Sequence, residues 1–221
     1  MAEPSLTLDC QQNARPSDDC SQKGARAGRP RSVETHHAIL EATLELVARD
    51  GVQGVGIEAI AAQAGVGKTA IYRRWATKDA LVLDALSELQ AQVRLVESGN
   101  IRKDLSSFLG DLFSQIESHP LLKGLLLRVL GEAKDRPEFL QALIERLYTP
   151  RRQQWQELFH HAQQRGELRS DLDLNIVAGL IMGSVFYHVL TSQISPTATP
   201  VRELPERIID AVLHGVGTDS Q

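Results

Sequence analysis

"AQAGVGKTAIYRRW", residues 62–75, admits two incompatible readings. GVGKT is the tail of a nucleotide-binding P-loop, whereas IYRRW has the character of a helix that touches DNA. A P-loop follows G-x-x-x-x-G-K-[ST], so a loop ending in Gly67, Lys68 and Thr69 needs glycine at position 62, where this chain has Ala62. The loop must also follow a buried β-strand that aims backbone amides at the phosphates. The preceding residues, "IEAIAAQA" (57–64), are good helix formers without a β-branched run, and no apolar strand ending in Asp appears elsewhere as a second metal-holding motif. The other reading needs a short helix, a glycine turn and a second helix set at a steep angle, which is the helix-turn-helix. Ala61 is small enough for close helix approach, Gly65 lets the chain reverse, Val66 plugs the angle and Ile71 fills the inner face. The outer face then presents Lys68, Thr69, Tyr72, Arg73 and Arg74, donors for phosphates and purine edges around one amphipathic ring. A solvated surface helix ordinarily mixes in acids, but residues 67–78 contain Lys68, Arg73, Arg74 and Lys78 and no acid.

The neighbouring stretches are helical in period. "SVETHHAILEATLELVARDG" (32–51) places Ile39, Leu40, Thr43, Leu44 and Val47 on one face, with Ser32 or Thr35 as the expected cap and Gly51 as the stop. "KDALVLDALSELQAQVRLVE" (78–97) carries Leu81, Leu86, Leu89, Val93 and Val96 at helical spacing, and "LSSFLGDLFSQIE" (105–117) repeats the pattern. "LLKGLLLRVLGEA" is denser, and the run from Pro137 to Gly166 is interrupted by Pro150, an expected kink or break. "LNIVAGLIMGSVFYHVLTSQ" (174–193) is apolar nearly all round, and "LPERIIDAVLHGV" (204–216) is the last periodic segment. Pro196 and Pro200 mark a loop between these two. No period-two alternation appears, so the fold class is all-α. Three units follow: a polar tail over 1–31, a compact helix-turn-helix unit over 32–77 and a larger helical body over 78–221.

Charge is divided along the chain in the same way. Residues 23–79 hold nine Lys/Arg and six Asp/Glu (+3), residues 1–22 hold one and four (−3), and residues 80–221 hold fourteen and eighteen (−4), which sum to the formal −4. A basic segment on an acidic remainder places the anionic partner in the N-terminal third. Cys10 and Cys20 read as exposed thiols in a tail, without metal-ligand spacing. No signal-peptide core and no apolar run approaching membrane-helix length are expected, so the protein is expected to be cytoplasmic with no membrane partner. His160 and His161 are adjacent and point to different faces, a poor chelate, and no nucleophile–base or carboxylate pair has catalytic spacing. Neither an enzymatic function nor a metal or cofactor is expected.

With these residues in place, "LELVARDGVQGVGIEAIAAQAGVGKTAIYRRWATKDALVLDAL" (44–86) resembles the DNA-binding domain of the tetracycline-repressor (TetR) family. Residues 136–173 followed by "AGLIMGSVFYHVL" resemble, more loosely, one type of C-terminal domain in that family. The resemblance implies that Gly67, Lys68, Thr69 and Ala70 meet bases, that Tyr72 contacts a phosphate, that Arg73 and Arg74 lie at the DNA surface, and that Lys78 meets a phosphate. Family members often carry threonine at the cap of the second helix; here the position is Gly56, which supplies no hydroxyl. "KGARAGRPRS" (23–32) adds Lys23, Arg26, Arg29 and Arg31, an arm similar to those that lie in minor grooves, with a solubilising tail as the alternative.

A helix apolar on nearly every side must be covered on nearly every side. One face would pack inside the subunit and the other against a second chain, with burial in a monomer core as the alternative. The family resemblance implies that helices at about 173–193 and 203–215 pair with their mates in a homodimer, through Ile176, Gly179, Leu180, Gly183, Ile208 and Val212. Two reading heads related by a two-fold axis suit a palindromic DNA operator. The resemblance further implies a small-molecule effector pocket in the body, with Phe108, Phe113, Trp155, Phe159, Met182, Phe186 and Tyr187 as candidate lining residues; core packing is the competing account of each. Together these point to a ligand-responsive transcriptional repressor. The alternatives are a nucleotide-binding enzyme using Gly67-Lys68-Thr69, or a helical binding protein whose DNA head has decayed.

Overall fold

The apolar stripe of the first periodic segment becomes the inner face of α1 (Arg29–Gly54), where Ile39, Leu40, Ala42, Leu46 and Val47 are buried. The computed structural model describes residues 29–118, 120–191 and 201–216. The cysteines and the Pro196–Pro200 loop lie outside the described residues. So do Lys23 and Arg26, together with the side chains of Arg29 and Arg31. α1 begins at Arg29, so neither Ser32 nor Thr35 caps it, and Arg29 to Arg31 belong to its first turn rather than to an extended arm. Pro30 fits there because the amides of a first turn have no intrahelical acceptor to lose. Within α1, the buried Thr43 hydroxyl donates to the Ile39 carbonyl at 2.7 Å.

Gly51 breaks the helical path with φ 82° and ψ 168°. Glu132, far along the chain, receives the two amides that the break frees, Val52 N at 3.0 Å and Gln53 N at 2.8 Å. The backbone angle favours glycine, and a Cβ there would lie 2.1 Å from Glu132 Oε1, so a larger residue would push that carboxylate off the two amides.

α2 (Ile57–Gln63) starts on Gly56, which has extended backbone and makes no side-chain cap bond. α3 (Lys68–Tyr72) follows, and α4 (Lys78–Ala91) opens on Thr77, whose hydroxyl accepts from Ala80 N at 3.1 Å. α4 ends earlier than its periodicity extends: Val93 is still buried, but Val96 is exposed. The body continues through α5 (Ile101–Ser118), α6 (Pro120–Ala133) and α7 (Pro137–Leu143). A π-helical turn (Ile144–Tyr148) then leads into α8 (Thr149–Gln164). The break expected at Pro150 takes the form of that wider turn. Proline lacks the amide an α-turn would use, and its ring crowds the carbonyl four residues back. α9 (Leu174–Thr191), a 3₁₀ turn (Val201–Glu203) and α10 (Leu204–Val216) complete the described elements, and no strand occurs among them.

Burial forms two cores. The first joins α1, α2, α3 and α4 to Leu125, Val129 and Ala133 of α6 and to Phe139 and Leu143 of α7. The second gathers α5, α8, α9 and α10 around Phe108, Phe159, Ile181 and Ile209. Packing therefore does not divide at 77/78, because α6 and α7 lie on the N-terminal unit. α9 corrects one expectation: its 18 residues are long and apolar enough, by length and composition, to cross a membrane. Val177, Ile181, Val185 and Val189 enter the second core, while Ile176, Leu180 and Tyr187 remain exposed on the other side.

Candidate nucleic-acid interface

The turn between α2 and α3 is closed by backbone bonds. Gly65 N donates to Ala62 O at 3.2 Å and Val66 N to Ala61 O at 2.9 Å, with Gly65 at φ 66°. This pairing satisfies carbonyls at the end of α2 and turns the chain sharply. Ala61, Ile71 and Trp75 are buried beneath it, with Val66 packed against the same core, so α3 is fixed by its inner side. Trp75 stacks on His36 at 5.3 Å and donates its indole N–H to Asp84 at 2.9 Å. The segment before the glycine turn is thus a helix, in the place where a P-loop needs a strand.

α3 leaves Gly67, Lys68, Thr69, Tyr72 and Arg73 exposed on one side, with Ala70 and Arg74 half-buried. Tyr72 is 54% exposed, an unusual position for an aromatic ring in a short helix. Three polar groups have partners that residue spacing did not reveal. Lys68 Nζ lies 2.9 Å from Glu58 Oε1. That bond holds the Glu58 carboxyl below its usual range and raises the lysine. The acid-free run 67–78 is therefore answered by an acid from α2, ten residues earlier. Arg74 Nη1 donates to the Ala70 carbonyl at 3.1 Å. Lys78 Nζ donates to Val55 O at 2.8 Å and Gln53 O at 3.3 Å, tying the start of α4 to the end of α1. Arg29 and Arg31 are placed only by backbone, at the start of α1.

α4 connects this surface to the body and is held along its length. Arg136 pairs with Asp79, and Arg146 of the π-helical turn pairs with Asp84. Arg151 of α8 donates through Nη2 to the carbonyls of Gln90 at 2.8 Å, in the last turn of α4, and Val93 at 3.0 Å, just past it. Asp84 thus touches both Trp75, just past α3, and a residue of the body. None of these arginines or acids stood out in the sequence, where each reads as an ordinary charge on a helix.

Of the expected pocket residues, Phe108, Phe113, Trp155 and Phe159 are buried together, and Met182 packs against them. Phe108 meets Trp155 edge-on at 4.9 Å, and Trp155 stacks on Phe159 at 5.2 Å. Phe186 and Tyr187 do not join them. They are 37% and 67% exposed, because α9 turns Val185 and Val189 inward and carries the next two residues round to the outer side. Two shallow, adjoining grooves lie instead on the α9–α10 surface, touching Gly179, Leu180, Gly183, Ile208 and Val212. Ile208 and Val212 are buried floor residues, whereas Ile176 and Leu180 project outward. Among the described residues no group of three His, Cys, Asp or Glu could hold a metal ion. His161 faces Glu97 at 2.9 Å rather than a second histidine ligand.

A buried-core helix-turn-helix with a basic, exposed second helix, joined to an all-helical body, defines a DNA-binding transcription regulator. The chain matches the model of the bacterial regulatory proteins of the tetR family over residues 39–85, and that of the tetracyclin repressor-like C-terminal domain over 95–212. It belongs to the tetracycline-repressor family. It is 29% identical over 198 residues to the uncharacterised HTH-type transcriptional regulator YdeS of Bacillus subtilis, covering 89% of this chain and 98% of that one. It is also 29% identical over 198 residues to the HTH-type transcriptional regulator AqdR of Rhodococcus erythropolis, covering 89% and 92%. Among solved structures, the fold is similar to the transcriptional regulator FadR of Bacillus subtilis in complex with stearoyl-CoA. That likeness has a TM-score of 0.69 at 19% identity, over 81% of this chain and 98% of that one.

Proposed function

We propose that this protein is a cytoplasmic, homodimeric repressor that reads a palindromic operator and releases it when a small-molecule effector binds the body. The observation that carries the reading is the α3 surface: Lys68, Thr69, Tyr72 and Arg73 exposed on a helix whose opposite side is locked into the first core. In this reading Gly67 to Ala70 approach base edges, and Tyr72, Arg73 and Arg74 meet the backbone. Lys78 contributes to phosphate binding only through what its two carbonyl bonds leave free. Residues 32–77 act as the reading head and 78–221 as the body that dimerises and senses, with Arg29 and Arg31, in the first turn of α1 after the polar tail, beside the DNA.

Dimerisation is supported by the outer side of α9, where Ile176, Leu180, Tyr187 and Leu190 are exposed. Gly179 and Gly183 have nothing within 4 Å of a Cβ, leaving room for a facing helix. Effector response is supported by the aromatic cluster in the second core and by the FadR structure, solved with stearoyl-CoA. Sequencing the genomic fragments that the purified protein retains supplies the operator, and fluorescence anisotropy then measures affinity against salt. Binding should weaken steeply as salt rises. Tyr72→Ala should cost about 1–3 kcal/mol of operator affinity, the scale of one good contact, with the fold intact by circular dichroism. A Tyr72→Ala protein with wild-type affinity would place the reading surface elsewhere.

A further inference from the structure

Two donors on α8, one helical turn apart, flank the same ring. The Arg151 guanidinium lies 5.6 Å from the centroid of Phe108, and the Trp155 ring lies 4.9 Å from it. Trp155 is only 2% exposed, yet its indole N–H has no acceptor among the described residues. A buried donor without an acceptor is uncommon in a native core and calls for an explanation. Arg151 lacks an ionic partner among the described residues, and its hydrogen bonds go to two backbone carbonyls through one nitrogen. Burial without a counter-charge lowers the pKa of that guanidinium, so an anion beside it would be favoured.

We propose that Arg151 and Trp155 form the polar end of the effector site, and that the effector is an organic carboxylate on an apolar or aromatic body. This rests on the reading of the chain as effector-responsive and gives that effector its chemical class. A carboxylate offers one oxygen to the indole N–H and the other to the guanidinium, which prefers a charged acceptor to neutral carbonyls. Phe108 and Phe159 supply the apolar wall for the rest of the molecule. The guanidinium that holds the carbonyls of Gln90 and Val93 through Nη2 takes the carboxylate on its remaining nitrogens, so any shift of Arg151 toward the ligand changes its grip on the end of α4. The ligand thereby has different affinity for the held and released positions of α4, which is what coupling to the reading head requires.

Calorimetric titration of the full-length protein tests the site without reference to DNA. The probes are 2-naphthoate and decanoate, with 2-naphthalenemethanol and decanol as uncharged counterparts of the same bodies. At least one acid should bind about tenfold or more tighter than its alcohol, the scale of a charge-assisted bond. Arg151→Gln should abolish that preference. Trp155→Phe, which keeps an aromatic ring but loses the N–H, should reduce it while the melting temperature stays near wild type. Equal binding of acids and alcohols, no heat from either acid at millimolar concentration, or a preference that survives in Arg151→Gln would overturn the site. If Arg151→Gln does not fold, the wild-type comparison and Trp155→Phe decide the question. Anisotropy with operator DNA is the separate arm: an acid that binds but does not release DNA overturns the coupling through α4. A protein that never binds DNA overturns the proposed function, while calorimetry still decides the site.

Discussion

In the free chain the Lys68 ammonium is paired with Glu58, so on the proposed reading surface binding DNA exchanges one anion for another. Both side chains are more than half exposed, and such pairs contribute little to stability. If α3 meets DNA as proposed, the carboxylate adds repulsion toward phosphate and competes for the lysine. Glu58→Gln should therefore raise affinity for operator and non-operator DNA at low salt, with the gain shrinking as salt screens the charge. Anisotropy titrations across a salt series measure it, and identical curves for the two proteins would remove Glu58 from the interface. Lys78 illustrates the opposite outcome at this scale. A residue expected to reach phosphate is engaged by two backbone carbonyls and holds α1 to α4.

At the scale of elements, α3 is too short to hold itself in place. Five residues make about one turn, and isolated helices of that length do not persist in water. Its position comes from the glycine turn before it and from Ile71 and Trp75 beneath it. Gly65 is the sensitive point: it has φ 66° and open space around a Cβ, so a side chain there meets backbone strain alone. Gly65→Ala should lower unfolding free energy by roughly 1–2 kcal/mol, the cost of a left-handed alanine, and should weaken DNA binding in parallel. Gly65→Asn should cost less, because asparagine tolerates that region. Denaturant unfolding of the two variants measures this, and an alanine variant as stable as wild type would contradict it. This element was legible in the sequence because its signals are local: alanine, glycine, valine and isoleucine at fixed offsets around one turn. The π-helical turn was legible only as a disturbance at Pro150, since a proline announces a missing amide without stating how the chain accommodates it.

Across the whole molecule, α6 of the first core touches α5 and α9 of the second, and the helix-turn-helix shares its core with part of the body. Contacts at Asp79, Asp84 and its C-terminal end tie α4, the helix that follows α3, to the body. The outer side of α9 is the surface this arrangement leaves uncovered. On the proposed dimer, Leu180→Glu puts a charge on each side of the two-fold axis, where it is desolvated and repelled by its mate. Light scattering should report a monomer and operator affinity should fall at least about tenfold, since one head reads one half-site. A Leu180→Glu protein that remains dimeric would place the interface elsewhere.

The sequence by itself determined the helical class, the order of the elements and the helix-turn-helix, because helical period, glycine turns and a run of cations are properties of neighbouring residues. The likeness to the repressor family followed from the same local pattern. Only the tertiary structure decided who answers those charges. Glu58 reaches Lys68 across a turn, Glu132 reaches the amides of Val52 and Gln53 from α6, and Arg146 and Arg151 reach α4 from the other half of the chain. The same holds for the two faces of α9: uniform apolarity gives no phase, so only packing showed that Phe186 and Tyr187 turn away from the core. Such pairings depend on how helices cross, and residues far apart in sequence carry no spacing from which a crossing can be read.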